Sequence, residues 1–468
     1  MADSVRSSIS CLVSIFAVAL GRIPSLMALR KPLPMSVAVT DAHPSSKDIS
    51  KGGTKKLAAV VDSVWEWAAI CVKQCPVQPV AHLGEGLAYE NPPAFIVEAH
   101  KQSLDLVECN QYSPTGGLSR FTGTLSRVYS SIYQKTLNPD LEISVHSGGT
   151  EAILSVITAF VEPDDEVIVF EPAFDLYELH VRFVGGVLRT VPLHPPQHAG
   201  TAVSQAGEWR FKTEELEQAI SPRTRLLIVN TPHNPLGKVF SAAELLTIGT
   251  LCARHNIIIL ADEVYEHLSF NAPLPRIATL NPTIARHTIS IGSIGKAFNA
   301  TGWRVGYAIG DRDLIRHVKN AHIILCYTTA GPAQVAAAMG LEEAERVGFW
   351  DENRQRIKGK IDGLCAVFDD VGLPYVVPSG AHYLMVNATS IKVPAQYVFP
   401  ENLADKPQDW RLSWMLLQEF GVASIPVSAS FSNANGRLGG DYLRFVVSKP
   451  QAELDLAKER LRGLKDYL

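Results

Sequence analysis

The chain lacks the features that mark several classes of protein. Its seven cysteines are scattered over 468 residues without a Cys-x-x-Cys pair, which argues against a disulfide framework and a structural zinc site. The formal net charge is -4 and no basic patch interleaved with aromatics follows the N-terminal region, so we expect no nucleic-acid partner. The apolar run at residues 11–20 is too short to span a bilayer. These absences favour a globular protein of a reducing compartment, with neither a membrane nor a metal as partner.

The first 54 residues differ in composition from the rest. Residues 1–30 contain three arginines, many serines and a single acid, which is closest to a mitochondrial transit peptide. An unremoved disordered extension and a secretory signal are alternatives, although no basic n-region or cleavage site is clear. Residues 41–54, rich in Ser, Lys and Gly, are typical of a linker. We expect a cytoplasmic protein, with a mitochondrial location as the alternative.

Short apolar runs alternate with helix-like segments through the middle of the chain. This alternation predicts an α/β fold with a mainly parallel, doubly wound sheet. Ligands of such sheets bind outside the carboxyl ends of the strands. The runs are residues 143–145, 167–170, 226–229, 257–261, 288–291 and 305–309.

The first five runs each end in a group suited to ligand binding. Most of these groups also have an ordinary explanation, such as a helix cap, a core aromatic or a turn. Asp262 is harder to explain, because a carboxylate at the end of a buried strand is costly without a cationic partner. Five segments are therefore predicted to converge on one site: Ser147–Thr150, Glu171–Phe174, Asn230–Asn234, Asp262–Tyr265, and Ser293 with Lys296.

Lys296 stands at the centre of the most informative stretch, residues 290–307. Gly292, Ser293 and Gly295 allow a backbone to approach a ligand and leave amides for an anion, and Arg304 adds a cation suited to phosphate oxygens. An amine beside a phosphate cradle predicts a lysine that bonds to a phosphorylated aldehyde. That is the chemistry of pyridoxal 5′-phosphate.

Four stretches, taken in order, resemble motifs of the class I, fold type I aminotransferases. The likeness runs from about Lys55 to Leu468 and is greatest to the kynurenine aminotransferase and cysteine-conjugate β-lyase group. It implies a homodimer with active sites at the subunit interface, a large cofactor-binding domain at residues 108–344, and a smaller α+β domain made of residues 55–107 and 345–468. The stretches are NTPHNPLGKVF (230–240), ADEVYE (261–266), GSIGKAFNATGWRVGY (292–307) and YLRF (442–445).

The resemblance also implies a role for each motif residue around the cofactor. Lys296 would bond to the cofactor's aldehyde, and Asp262 would pair with the pyridine nitrogen. Asn234 and Tyr265 would hold the ring hydroxyl, and Phe174 would stack on the ring. The implied phosphate ligands are Gly149, Thr150, Ser293 and Arg304, with Tyr112 from the neighbouring subunit.

On the substrate side, the resemblance makes Arg444 the clamp for a carboxylate, with Gly86 and Trp65 lining the pocket. Two stretches depart from the family. Residues 380–383 read Gly-Ala-His-Tyr where relatives have Gly-Gly-Tyr-Phe, and residues 426–432 are also unusual. These departures predict an amino-acid-like substrate other than kynurenine.

Two reactions are compatible with these residues, because both begin with removal of a proton from the substrate's α-carbon. The first is transamination, in which the amino group passes to a 2-oxo acid, and it is the one we expect. The alternative is a C–S β-lyase that acts on cysteine S-conjugates, as in sulfur-containing secondary metabolism. A third class, a cofactor-binding regulator without catalysis, is disfavoured because such proteins usually carry a DNA-binding domain.

Overall fold

In the computed structural model, the described residues are 63–86, 89–270 and 273–468. All of these residues belong to one compact unit, which begins after Gly53 and ends at Leu468. The predicted N-terminal extension and linker, residues 1–54, therefore lie outside the described residues. Among the described residues, no helix combines the length and apolarity needed to cross a bilayer.

The strands are numbered in chain order. They are β1 (Ala81–His82), β2 (Ile143–His146), β3 (Glu166–Glu171), β4 (Val187–Pro192), β5 (Ser204–Gln205), β6 (Thr224–Asn230), β7 (Ile258–Asp262), β8 (Thr288–Ser293), β9 (Gly306–Gly310), β10 (Tyr375–Val377), β11 (Tyr383–Asn387), β12 (Val422–Ala423), β13 (Ile425–Pro426) and β14 (Tyr442–Val446).

The α-helices precede, separate and follow these strands. They are α1 (Val64–Lys73), α2 (Ala94–Ser103), α3 (Ser119–Ile132), α4 (Gly149–Phe160), α5 (Leu176–Val184), α6 (Thr213–Ala219), α7 (Ala242–Arg254), α8 (Pro282–His287), α9 (Ile294–Ala297), α10 (Arg312–Leu325), α11 (Gly331–Arg346), α12 (Phe349–Val371), α13 (Gln408–Phe420) and α14 (Gln451–Leu461).

A seven-stranded sheet with the order β2-β9-β8-β7-β6-β3-β4 forms the centre of the fold. Its neighbouring strands are parallel except at β9, which is antiparallel to both β2 and β8. Each of the six predicted apolar runs overlaps a strand of this sheet, so the mainly parallel α/β fold is confirmed. The edge strand β4 was missed, because its residues are mostly half-exposed and form no continuous apolar run.

Alternate residues of the central strands pack on opposite faces of the sheet, as the two-residue period of a strand requires. Val167 and Val169 of β3 pack against one layer that includes α4 and α10. Ile168 and Phe170 of the same strand pack against another layer that includes α7. Helices thus cover both faces, which explains why these strands are apolar on both sides.

The register of the sheet brings the predicted site residues to one edge. Asn230 at the end of β6 pairs with Asp262 at the end of β7, and Asp262 pairs with Ile291 of β8. Because β9 runs in the opposite direction, its beginning lies at this same edge. Arg304, two residues before β9, is therefore placed beside the ends of the parallel strands.

A second sheet has five strands in the order β13-β14-β11-β10-β5. It packs with α12, α13 and α14 in a separate hydrophobic core. In this sheet β14 carries Arg444, which pairs with Met385 of β11 and Ile425 of β13. The division into domains at residues 108 and 345 stays a prediction, since β5 comes from the predicted large domain and pairs with β10 of the small one.

Candidate active site

A cavity of about 410 Å³ opens at the carboxyl edge of the seven-stranded sheet. It collects residues from both sheets and from α1. The predicted site residues that line it are Trp65, Gly86, Gly149, Thr150, Phe174, Asn234, Asp262, Tyr265, Ser293, Lys296, Arg304 and Arg444.

Lys296 lies in the short helix α9, which begins where β8 ends. Its Nζ is 3.4 Å from the carbonyl oxygen of Gly86 and 5.5 Å from the centre of the Tyr265 ring. Burial, together with the nearby Arg444 cation, lowers the pKa of Lys296 to about 8. The cavity therefore contains an amine that gives up its proton more readily than a solvated lysine.

Asp262 is buried at the end of β7, where its Oδ2 accepts a hydrogen bond from the hydroxyl of Tyr177. Its Oδ1 accepts a second one from the backbone N–H of Val264, at 3.3 Å. Burial raises the pKa of Asp262 to about 6, and the bond from Tyr177 opposes that rise. This carboxylate would be stabilised by a cation brought into the cavity.

Sequence reasoning missed Tyr177 although it lines the cavity. Tyr177 lies on α5, and its ring is 5.6 Å from that of Phe174 in an edge-on arrangement. The three-residue spacing between the two aromatics is visible in the sequence. That spacing does not reveal that the hydroxyl reaches Asp262, which is 85 residues away along the chain.

Arg444 lies between two aromatic rings on the opposite side of the cavity. Its guanidinium carbon is 4.9 Å from the ring of Tyr383 and 5.1 Å from the ring of Trp65. Nη1 donates to Oδ1 of Asn234 at 3.1 Å and Nη2 to the carbonyl oxygen of Gly84 at 2.7 Å. The Nε–H is buried without a hydrogen-bond partner. The arginine is thus held in place with a donor still available to an anion.

Two further bonds fix these aromatic rings. The hydroxyls of Tyr383 and Tyr265 are 2.6 Å apart, which connects the second sheet to the Asp262–Tyr265 turn. The indole Nε1–H of Trp65 donates to Oδ2 of Asp175 at 2.6 Å. Asp175 directly follows Phe174, so this bond joins α1 to the loop that carries the predicted ring-stacking residue. Asp175 and Tyr383 were not among the predicted site residues.

The predicted phosphate ligands lie around the first turn of α4. Gly148 has φ +90°, and a Cβ at that position would lie 2.6 Å from Nη2 of Arg304. A Cβ at Gly306 would lie 2.5 Å from the backbone nitrogen of Gly149. Glycine at both positions is therefore required for the close approach of Arg304 and β9 to this turn. The helix N-terminus and the arginine together form a site for an anion.

Tyr112 does not line the cavity of its own chain. Its side chain is 86% exposed, and its ring contacts that of Tyr327 at 5.5 Å between centroids. The resemblance places this tyrosine in the site of a neighbouring subunit, and that role stays a prediction.

The residues that depart from the family pattern lie mostly outside the cavity. His382 is buried behind it, with its ring 5.2 Å from Tyr265 and 4.5 Å from Tyr383. Residues 429–432 line a separate groove beside Glu171. Of these two stretches only Tyr383 faces the cavity. They consequently supply little reason to expect a different substrate.

Comparison with known proteins agrees with this geometry. The aminotransferase class I and II family matches residues 79–461. "Probable kynurenine--oxoglutarate transaminase BNA3" of Saccharomyces cerevisiae is 39% identical over 388 residues, which are 83% of this chain and 87% of that protein. Kynurenine--oxoglutarate transaminase 3 of Mus musculus is 32% identical over 390 residues, 82% of this chain and 84% of that protein. The crystal structure of Bna3p from Saccharomyces cerevisiae superposes with a TM-score of 0.85 at 36% identity, over 91% of this chain and 100% of that chain.

The chain therefore belongs to the class I and II aminotransferases and is a pyridoxal 5′-phosphate-dependent enzyme that uses an amino acid and a 2-oxo acid. Fold, cofactor and reaction are confirmed as the sequence predicts them. The likeness to kynurenine–oxoglutarate transaminases further places it in the kynurenine aminotransferase group. The alternative of a carbon–sulfur lyase has no better support than transamination.

The cavity fits this cofactor at each of its functional groups. The turn at Gly149 suits a phosphate, and Lys296 offers a buried amine that can bond to the aldehyde. Asp262 offers a buried carboxylate for a protonated pyridine nitrogen. Arg444 keeps a buried Nε–H without a hydrogen-bond partner, which leaves a donor for a substrate carboxylate.

Proposed function

We propose that this aminotransferase takes its amino group from an L-amino acid with a large aromatic side chain, L-kynurenine first among them, and passes it to 2-oxoglutarate. The observation that carries the proposal is Arg444, held between Trp65 and Tyr383 with an available donor. The arginine suits an α-carboxylate, and the two rings offer an aromatic wall beside it. The names of the relatives support kynurenine and oxoglutarate as the first pair to test.

In this proposal each of these cavity residues has a role at one group of the cofactor. Pyridoxal 5′-phosphate, when bound, carries the amino group and withdraws electrons from the substrate's α-carbon. Gly149, Thr150, Ser293 and Arg304 would hold its phosphate. Phe174 would pack against its ring, and Asn234 and Tyr265 would contact its hydroxyl.

Lys296 and Asp262 act on different protons. With a pKa of about 8, Lys296 Nζ can exist as the free amine near neutral pH and can move a proton at the substrate's α-carbon. Asp262, as a carboxylate beside the pyridine nitrogen, would hold a proton on that nitrogen. The bond from Tyr177 favours the ionised form of this carboxylate.

The substrate proposal is tested by measuring glutamate formed from 2-oxoglutarate with L-kynurenine, L-phenylalanine and L-alanine as donors. We expect the aromatic donors to exceed L-alanine in kcat/KM. Cysteine S-conjugates without a 2-oxo acid form a separate arm of the experiment. Faster release of thiol, ammonia and pyruvate from these conjugates than glutamate from any donor would contradict the proposal in favour of the lyase.

The role of Arg444 is tested with Arg444→Ala. Loss of an arginine–carboxylate pair typically costs about 2 to 5 kcal/mol, so kcat/KM should fall by about 30-fold to about 5,000-fold. Arg460→Ala is the matched control, because Arg460 also donates to backbone carbonyls, those of Pro79 and Gly421, but does not line the cavity. Equal activity of the two variants would contradict the clamp.

We also propose a homodimer in which Tyr112 completes the site of the other subunit. The support is an exposed apolar surface around Tyr112 and Tyr327, with Val107 at 74% and Ile324 at 83% exposure on the same two segments. Contiguous exposed apolar surface favours association.

The dimer is tested by sedimentation of Ile324→Asp and of the control Val398→Asp, which alters an equally exposed valine elsewhere. We expect only the first variant to dissociate. Mixing a Tyr112→Phe chain with a Lys296→Ala chain should also restore activity in hybrid dimers. A monomeric parent protein at working concentration would contradict the shared site.

We propose a cytoplasmic location, with mitochondrial import as the alternative, from the composition of residues 1–54 alone. A fluorescent tag at the C-terminus of the full chain should show diffuse cytosolic signal. Coincidence with a mitochondrial marker would support the alternative.

A further inference from the structure

The buried side chains of His146 and His322 and the partly buried Glu151 form a cluster next to the predicted phosphate site. Glu151 is in the first turn of α4, immediately after Thr150, whereas His146 ends β2 and His322 lies near the end of α10. We propose that Glu151, hydrogen-bonded to the two histidines, is a positioning residue. It holds the turn of residues 147–150 in the conformation that binds the cofactor's phosphate. The inference rests on the proposed function, in which Gly149 and Thr150 bind that phosphate.

The carboxylate of Glu151 accepts hydrogen bonds from backbone, hydroxyl and imidazole groups. Oε2 accepts from the backbone N–H of Ser147 at 2.9 Å and lies 3.0 Å from Nδ1 of both His146 and His322. Oε1 accepts from the hydroxyl of Ser155 at 2.5 Å. One side chain thus connects the strand before the turn, the turn itself, the helix after it and a second helix.

The bond to Ser147 is the one that reaches the phosphate turn. It satisfies an N–H at the beginning of α4 in the way that the glutamate of a capping box does. The next residue, Gly148, donates its N–H to the carbonyl oxygen of His146 at 2.7 Å and has a positive φ. Without Glu151 this turn would lose its hydrogen bond to the helix, and the amides that follow would lose their alignment.

Both imidazoles face the carboxylate of Glu151 through Nδ1. A carboxylate can only accept, so each Nδ1 carries the proton, and both Nε2 atoms are buried without a hydrogen-bond partner. Burial lowers the pKa of His146, which favours its neutral form. For Glu151, burial alone would raise the pKa, but the bonds from His146 and His322 outweigh it and the pKa is lowered.

These contacts separate a positioning role from two others. A carboxylate that accepts these hydrogen bonds does not itself attract a phosphate, so the contribution of Glu151 to binding comes from geometry. The three ligand-type atoms do lie within 4.8 Å of one another, as in a metal site. However, each Nδ1 already contacts the carboxylate at hydrogen-bond distance, which leaves no room for an ion between them.

The test compares pyridoxal 5′-phosphate with pyridoxal, which lacks the phosphate. The full-length enzyme is freed of cofactor and titrated with each compound, and binding is followed by absorbance. For Glu151→Ala we expect the affinity for pyridoxal 5′-phosphate to fall by about tenfold or more, since bonds to a charged acceptor are lost, while the affinity for pyridoxal is unchanged. An equal loss for both compounds, or no loss for either, would overturn the inference.

Conservative variants keep the test decisive if Glu151→Ala folds poorly. Glu151→Gln should retain the affinity. Its carbonyl oxygen, in the place of Oε2, can still accept from Ser147 and His146, and its amide can donate to Nδ1 of His322 if that ring carries its proton on Nε2. His322→Phe keeps a ring of similar size but removes one donor, and it should weaken only pyridoxal 5′-phosphate. If Glu151→Gln loses the affinity while His322→Phe retains it, the positioning role is refuted.

Two controls separate this inference from the proposed phosphate site. Glu215→Ala removes a carboxylate from another histidine, His194, at 2.7 Å and away from the cavity, and it should leave both affinities unchanged. Thr150→Ala should weaken pyridoxal 5′-phosphate alone. If Thr150→Ala has no effect, the phosphate site itself is wrong. If it has the expected effect and Glu151→Ala has none, only the positioning role is wrong.

Discussion

Replacement of Tyr177 by phenylalanine isolates the hydrogen bond that supports Asp262. The ring would keep its edge-on contact with Phe174, and only the hydroxyl that donates to Oδ2 of Asp262 would be lost. The other bond to this carboxylate side chain, from the N–H of Val264, is longer at 3.3 Å. The substitution therefore removes the main donor to Asp262 with little change in packing.

The size of the effect follows from the kind of bond. A hydrogen bond to a charged group contributes about 1.5 to 3 kcal/mol, which corresponds to about 10-fold to about 150-fold in an equilibrium or rate. We expect kcat/KM of Tyr177→Phe to fall by up to that factor. Because the bond holds the pKa of Asp262 down against burial, its loss should raise that pKa further above 6.

The assay is the pH profile of kcat/KM together with cofactor absorbance. A carboxylate that works in its ionised form loses function as pH falls through its pKa, so the acid limb of the profile should move to higher pH in Tyr177→Phe. Tyr129→Phe is the matched control, since Tyr129 is a buried tyrosine that donates to the carboxylate of Glu266 without lining the cavity. An unchanged acid limb with near-normal kcat/KM in Tyr177→Phe would refute the support of Asp262 by Tyr177.

Three other predictions test different parts of the cavity. The rate at which cofactor-free enzyme binds pyridoxal 5′-phosphate should rise with pH through about 8 and then level off, because the free amine of Lys296 is the reactive form. Arg444→Ala removes a neighbouring cation and should move the midpoint of this pH dependence upward, whereas a midpoint near 10 in the parent enzyme would contradict the lowered pKa of Lys296. Gly148→Ala would place a Cβ 2.6 Å from Arg304, so cofactor affinity should drop in a binding titration, whereas Gly359→Ala, with open space around it, should bind normally. Trp65→Phe loses the hydrogen-bond donor to Asp175, so KM for the amino donor should rise by about tenfold while cofactor affinity is unchanged. The double variant with Asp175→Ala should show no further rise in KM, and additive increases in KM would argue against a coupled pair.

The sequence by itself determined the central sheet and the cofactor side of the site. Strands β6, β7 and β8 are buried on both faces over most of their length, so each contains an apolar run. Asp262 ends β7, and Asn234 and Lys296 follow shortly after β6 and β8. Once the strands are parallel, their ends must meet at one edge. Local apolar patterning was sufficient for that conclusion, and it was insufficient for β4, a partly exposed edge strand.

Only the tertiary structure decided which distant side chains support the site. Tyr177 reaches Asp262 across 85 residues, Trp65 reaches Asp175 across 110, and His322 reaches Glu151 across 171. No local period connects such pairs, because they are brought together by the stacking of helices on the sheet and by the second sheet packing beside it. The same packing placed His382 behind the cavity rather than in it, which the motif around it could not show. Residue types and short spacings define the chemistry that a chain can perform. The contacts that shift the pKa of Asp262 and hold Arg444 in position are made only when the chain has folded.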